Sequence, residues 1–219
     1  MKVKGPYVTL GAVAAFGVVL LLVNVANESP PAKKPAASSA NTSASQSPQS
    51  STTPAAPAAE AFPAKADYVG KIPTSDGVMT VEITVEGDKA IAYACDGKKV
   101  ESWLRGPAQN GVVSLDNKDK TSHLDGRLVS GQVDGTLAIG QEQLNFTAAP
   151  AQPPAGLYVY LEDGNRTSWI IDQQNGVTGV QRQPDGTKSP APSLSTGGTA
   201  VINGQTITAT RVEGNSDVF

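Results

Sequence analysis

Between Ala66 and Val212 the chain is cut repeatedly by Asp-Gly, Asn-Gly, Ser-Gly and Gly-Asp pairs, and apolar side chains fall at alternate positions in the runs between them. Such pairs suit the tight turns of hairpins, and period-two alternation gives a strand one face to bury. No stretch carries helical periodicity long enough to count as a helix. The pattern predicts an all-β head, an antiparallel meander forming a barrel or a two-sheet sandwich of roughly eleven to thirteen strands.

Register follows from keeping apolar residues on one face. In VMTVEITVEGDKAIAYAC a three-residue loop over 86–88 pairs Val81 with Tyr93 and Ile83 with Ile91, which turns Cys95 toward the core. A turn over 96–99 then brings Val100, Ser102 and Leu104 to the same face and sends Trp103 to the other, making it a candidate exposed aromatic. Further on, a four-residue loop over 140–143 aligns Ile139 with Leu144 and Leu137 with Phe146. A second set of strands turns at Asp163-Gly164, after 175–176, and at Asn203-Gly204.

Residues 124–141 read LDGRLVSGQ and then VDGTLAIGQ, nearly one nine-residue phrase said twice. Calcium-binding solenoids use such a period to bring carboxylates of stacked turns onto an ion. The alternative is two strands of a meander. A turn at Asp125-Gly126 mixes polar and apolar residues on both faces, and that register fails. A turn at Ser130-Gly131 pairs Leu128 with Val133, Gly126 with Gly135 and Leu124 with Leu137 on one face, and Arg127 with Asp134 and Asp125 with Thr136 on the other. Every rung is then satisfied, so the repeat reads as a shape rather than an ion site. It leaves open what packs over the two glycines.

Residues 1–66 are built on other lines. After Lys2 and Lys4, the run from Tyr7 to Val25 is almost wholly apolar, long enough at about 1.5 Å per residue to span a hydrocarbon core of roughly 30 Å. It is longer than a signal-peptide apolar region and ends without a small-x-small pair. Residues 7–26 are therefore expected to be a transmembrane helix, an uncleaved signal-anchor that ties the chain to the lipid bilayer. Residues 1–6 form a short cytoplasmic N-terminus, because Lys2 and Lys4 precede the span and Glu28 follows it. Residues 27–66 hold mainly Ala, Ser, Pro and Thr and predict a disordered linker reaching on the order of 35 Å. Its Ser/Thr-rich tract also fits a glycosylated stalk. The β-rich extracytoplasmic head is expected over 67–212, with a flexible tail over 213–219.

Charge divides along the same boundary. Residues 67–219 carry twelve Lys+Arg against eighteen Asp+Glu, whereas residues 1–66 carry five lysines against two glutamates. An acidic head with no cluster of basic residues along the sequence has no general attraction for phosphate backbones, which argues against nucleic acid as a partner. The single cysteine, Cys95, excludes an intramolecular disulfide.

Catalytic and metal chemistry find little to build on. His123 is the only histidine, and the proposed register puts it across the sheet from Cys95, so neither zinc nor a Cys-His pair is served. No Gly-x-Ser-x-Gly elbow accompanies it. In the Asp116–Lys120 stretch lysines stand where a calcium loop needs oxygens. No enzymatic activity, cofactor or metal is expected. The aromatic residues Trp103, Tyr158, Tyr160 and Trp169 are a candidate binding surface, set against the plainer reading that they staple two sheets together.

The succession AYACDG, ESWLRG, DGRLVSGQVDGTL, NFTAAPA, PAGLY and SWIIDQQNGVTGVQ resembles membrane-anchored or secreted actinobacterial envelope proteins of unassigned function. The resemblance implies location and topology and brings no catalytic residues. Taken together, the expectation is a single-pass, non-enzymatic binding or scaffolding domain of the cell membrane and envelope, with an envelope protein or wall component as partner. The alternative is a β-barrel carrier of a small apolar or lipid ligand.

Overall fold

The structure, a computed structural model, describes residues 60–218. The expected span over 7–26 and nearly all of the linker lie outside them; among the described residues no helix is long and apolar enough to cross a membrane.

Eight strands close into an antiparallel barrel: β1 Lys65–Thr74, β2 Gly77–Glu86, β3 Lys89–Cys95, β4 Glu101–Gln109, β5 Val112–Asp116, β6 Ser122–Val129, β7 Gln132–Ile139 and β8 Glu142–Ala151. Each pairs with the next, and β8 returns to β1 at Asp67–Ala151, Tyr68–Pro150 and Val69–Ala149. Eight strands leave an interior just wide enough for side chains to fill. Here Ile72, Val81, Ile83, Leu104, Leu115, Leu124, Leu137 and Phe146 fill it, with Ala90, Ala92 and Ala94 between them.

Five more strands, β9 Gly156–Glu162, β10 Asn165–Ile171, β11 Val177–Arg182, β12 Lys188–Pro190 and β15 Thr210–Arg211, form a sheet in the order β12-β11-β10-β9-β15. Its inner face, with Leu157, Val159, Ile170 and Val180, packs on the outer wall of the barrel at Val69, Ile91, Tyr93, Cys95 and Trp103. A hairpin of β13 Thr199–Ile202 and β14 Gln205–Thr208 covers the other face, enclosing Tyr158, Trp169 and Ile171 with Leu194, Ala200, Ile202 and Ile207. The fold is thus a barrel with a sheet laid against one side. The fifteen strands of the described residues exceed the expected count because β12 and β15 are too short to read from alternation.

The nine-residue repeat pairs as expected at every rung, from Leu128–Val133 to Leu124–Leu137, through a Ser130-Gly131 turn with φ of 51° and 78°. What packs over its glycines is Phe146, which β7–β8 pairing sets opposite Gly135. A Cβ on Gly135 would lie 2.8 Å from the Phe146 ring, and one on Gly126 would meet Val133 and Val113. Gly135 thus makes room for the Phe146 ring and the Asp125 carbonyl, and Gly126 for Val113 and Val133.

Three registers differ from expectation. The β2–β3 turn holds two residues, Gly87 and Asp88, so Ile83 faces Ala92 and Glu82 faces Tyr93. Matching bulky to bulky fails because a narrow barrel interior sets large residues beside small ones, and Ile91, Tyr93 and Cys95 find their apolar partners outside, in the second sheet. The loop over 96–100 is one residue longer than expected; Asp96 accepts the amides of Lys98, Lys99 and Val100 at 2.8–2.9 Å, and Trp103 falls opposite Tyr93. The β7–β8 turn is Gly140-Gln141, so Leu137 meets Leu144 and Phe146 meets Gly135, two residues from the expected match but on the expected face.

The head also extends past its expected limits. β1 starts at Lys65, and Phe62 packs edge-on against Tyr68 at a centroid distance of 5.9 Å. At the same barrel end Ala64 accepts the Gly87 amide and Glu60 accepts that of Gly131. At the C-terminus Val212 is buried, and Val218 packs against the core between barrel and sheet.

Candidate functional site

The barrel end away from Phe62 opens into a cleft of about 700 Å³ under the edge of the second sheet. The loops over 96–100, 117–121 and 140–141 surround it, and β10, β11 and β12 supply Arg166, Arg182 and Lys188 from above. Five cations line it, Lys99, Lys118, Arg166, Arg182 and Lys188, against two carboxylates, Glu101 and Asp119. This is the reverse of the charge balance of the head as a whole.

Arg166 is fixed in this wall. Its Nη2 donates to Glu101 Oε1 at 3.2 Å, and its guanidinium lies over the Trp103 ring, 5.1 Å from the centroid. Glu101 is held in turn by the Tyr93 hydroxyl, which donates to Oε2 at 3.0 Å. The Glu101 side chain is only 3% exposed, so the pair lies largely out of water, where a charge without its partner is costly. Burial first, and its neighbours Cys95 and Glu101 after it, push the Tyr93 hydroxyl well above its ordinary value and keep it a neutral donor. A rigid guanidinium backed by an aromatic ring results. Ser102 also lines the cleft, and its hydroxyl is buried with no hydrogen-bond partner.

The sequence-predicted surface of Trp103, Tyr158, Tyr160 and Trp169 does not assemble as an open platform. Trp103 lies on the expected outer face but is 5% exposed, a correction to its expected exposure that follows from the cover of the second sheet. Trp169 is fully buried under the β13–β14 hairpin and donates from Nε1 to the Pro192 carbonyl at 2.7 Å. Tyr158 shares that buried face and donates to the Pro154 carbonyl at 2.9 Å, while Tyr160 at its rim donates to Glu162 Oε1 at 2.9 Å. Three of the four rings are therefore stapling residues, and Trp103 reaches the cleft only as the backing of Arg166.

Cys95 is buried on the outer wall, and burial pushes its thiol up to about 12, which leaves no thiolate for nucleophilic work. His123 sits between two carboxylates, Nδ1 at 2.8 Å from Asp116 and Nε2 at 3.0 Å from Asp125. It points outward from the wall as Cys95 does, so the expectation of opposite faces falls with the β2–β3 register. Among the described residues no cluster of His, Cys, Asp and Glu is arranged to hold a metal.

Sequence reasoning missed all five cleft cations, because Lys99, Lys118, Arg166, Arg182 and Lys188 are spread over some ninety positions and form no local run. Only hairpin register brings the last three together. No family model, curated protein or solved structure matches the chain.

Proposed function

We propose that this chain is a non-enzymatic binding domain of the bacterial cell envelope, anchored through residues 7–26, raised on the linker, and engaging an envelope protein or wall component through the mouth of its barrel. The observation that carries the reading is the cleft itself, a polar concavity of about 700 Å³, within the size range of ligand sites. The described chain enters the head at the opposite end, where Phe62 and Ala64 pack, which leaves the cleft unobstructed by that segment. The likeness to actinobacterial envelope proteins fits this placement. The carrier alternative has less behind it, because the barrel's own apolar side chains occupy the interior where an apolar ligand would lie.

The test is site-specific photocrosslinking of the full chain in its own membrane. A photoreactive residue at Lys118, on the cleft rim, is expected to give a discrete adduct, and one at Ser130, at the far barrel end, to give none. Equal labelling at the two positions, or a C-terminal reporter that is active in the cytoplasm, refutes the proposal.

A further inference from the structure

The cations of the second sheet stand in a row. Arg166 of β10 is directly opposite Arg182 of β11, and Arg182 is directly opposite Lys188 of β12. Residues opposite one another across antiparallel strands project to the same face with Cβ atoms about 5 Å apart, and like charges placed so are destabilising. Only Arg166 is compensated, by Glu101. Among the described residues Arg182, Lys188, Lys99 and Lys118 form no salt bridge, although the head is rich in carboxylates. Folding alone would favour an acidic or neutral residue at Arg182. The arrangement makes sense when a bound anion supplies the missing negative charge.

The geometry narrows the class of anion. A carboxylate is planar and can be satisfied by one guanidinium fork. Here the cations approach from two walls, Arg166, Arg182 and Lys188 from the sheet and Lys99 and Lys118 from the barrel loops. That suits a tetrahedral group whose oxygens point in several directions. Arg166 is already oriented by Glu101 and Trp103, so binding need not order it. The Ser102 hydroxyl, 95% buried as a residue and without a partner, adds a polar group to the same floor.

We infer that the cleft binds a phosphate-bearing ligand, with Arg166, Arg182 and Lys188 holding the phosphate from the sheet and Lys99 and Lys118 closing on it from the barrel rim. This rests on the reading of the head as a binding domain and names its ligand chemistry. The phosphate can belong to a free phosphorylated compound or to a phosphodiester such as a lipid headgroup or wall polymer.

The experiment is isothermal titration calorimetry on the full chain in non-ionic detergent, with three soluble probes: inorganic pyrophosphate, glycerophosphoglycerol as a tail-free phosphodiester, and citrate as a polycarboxylate. The variant R182Q/K188Q changes two surface side chains, and R127Q, at the far barrel end, is the control. At least one phosphate probe is expected to bind more tightly than citrate, to weaken on the order of tenfold for each cation removed, and to be unaffected by R127Q. Without ligand, the double variant is expected to melt at the same or a higher temperature than the native chain, because the like-charge row is relieved. Preference for pyrophosphate assigns a free phosphorylated compound, and preference for glycerophosphoglycerol assigns a phosphodiester. Binding of citrate as tight as the better phosphate probe, binding unchanged in R182Q/K188Q, or no binding of either phosphate overturns the inference. An adduct at Lys118 accompanied by no phosphate binding would sink the ligand class alone and leave the binding-domain reading standing.

Discussion

Glu82 projects from the outer face of β2, sandwiched between the barrel wall and the second sheet, and is fully buried. Neither carboxyl oxygen has an ordinary donor; the carboxyl group it meets is that of Asp67, whose Oδ2 accepts from Arg211 Nη2 at 2.8 Å. Two carboxyl groups in contact form a hydrogen bond only when one carries the proton, and the group out of water is the one that keeps it. Burial raises Glu82 well above the ordinary carboxylate range, the charges of Asp67 and Glu213 add to the effect, and Arg211 opposes it. An acid raised in the folded state contributes stability that is whole below its unfolded reference of 4.5. As the pH rises further the unfolded chain releases the proton and the folded chain does not. Stability then falls by about 1.4 kcal/mol per pH unit until the folded group ionises too. Glu82→Gln keeps the shape and a donor for Asp67 but cannot titrate. The variant and native chains should therefore be similar in stability near pH 4, and the variant should gain about 1.4 kcal/mol on the native protein between pH 5 and 6. Urea unfolding followed by circular dichroism at pH 4, 5 and 6 measures the difference directly. A difference that stays flat across the series would mean that Glu82 is ionised in the fold, and the account of this interface would be wrong.

Other expectations follow from single contacts. Gly135→Ala drives a methyl into the Phe146 ring and the Asp125 carbonyl, and should cost about 1–3 kcal/mol or more in denaturant unfolding, of which Phe146→Leu recovers only the part owed to the ring. Because Asp116 first and Asp125 second stabilise its charged form, His123 should titrate above 6.5 by ring NMR; its small contribution to stability is present below 6.5 and lost as pH rises through the folded value, and Asp116→Asn should bring the midpoint down. Cys95 should resist a thiol reagent at pH 8 in the native protein and react at once in 6 M guanidinium, whereas rapid native labelling would contradict its buried place on the wall.

How far the fold could be read from the sequence depended on whether a strand has one buried face or two. Around Ser130-Gly131 the strands bury one face, Leu124, Leu128, Val133 and Leu137 against exposed Asp125, Arg127 and Asp134, and alternation alone gives the register. Along β2 and β3 both faces are covered: Val81 and Ile83 look into the barrel, while Thr80, Glu82 and Thr84 are buried under the second sheet. A buried glutamate mimics the polar stripe of a solvent face, so alternation indicated a one-sided strand and set Tyr93 and Ile91 on the wrong side. The clue was compositional, since Ala90, Ala92 and Ala94 are poor candidates for an exposed stripe and good ones for the crowded interior of a small barrel. The aromatic residues misled for the same reason: Trp103 and Trp169 lie in layers whose existence follows from pairing between distant segments.

The doubly covered wall also accounts for the position of the cleft. β10 crosses the barrel from β4, where Arg166 meets Glu101, toward the β1–β8 seam, where the side-chain amide of Gln173 donates to the Val69 and Ala149 carbonyls and Asp172 meets Lys71 at 2.6 Å. Those two attachments hold β10 at both ends, and the apolar layer of Leu157, Ile170 and Val180 fills the space between. β11 is tied to the wall as well, at Val180 and where the Thr80 hydroxyl donates to Thr178 Oγ1 at 3.2 Å, and beyond Val180 the pairing of β10, β11 and β12 sets Arg182 and Lys188 over the mouth rather than over the wall. Had the second sheet been attached at one end only, the cation row would be free to swing out and relieve its own repulsion in water. Anchoring at the seam keeps the row over the cleft, so the electrostatic cost is retained in the folded state and becomes available as affinity for an anion. The seam is thus predicted to act on binding at a distance. Gln173→Ala, which touches no cleft residue, should weaken pyrophosphate or glycerophosphoglycerol binding in the same titration, and an affinity unchanged from the native chain would separate the seam from the cleft.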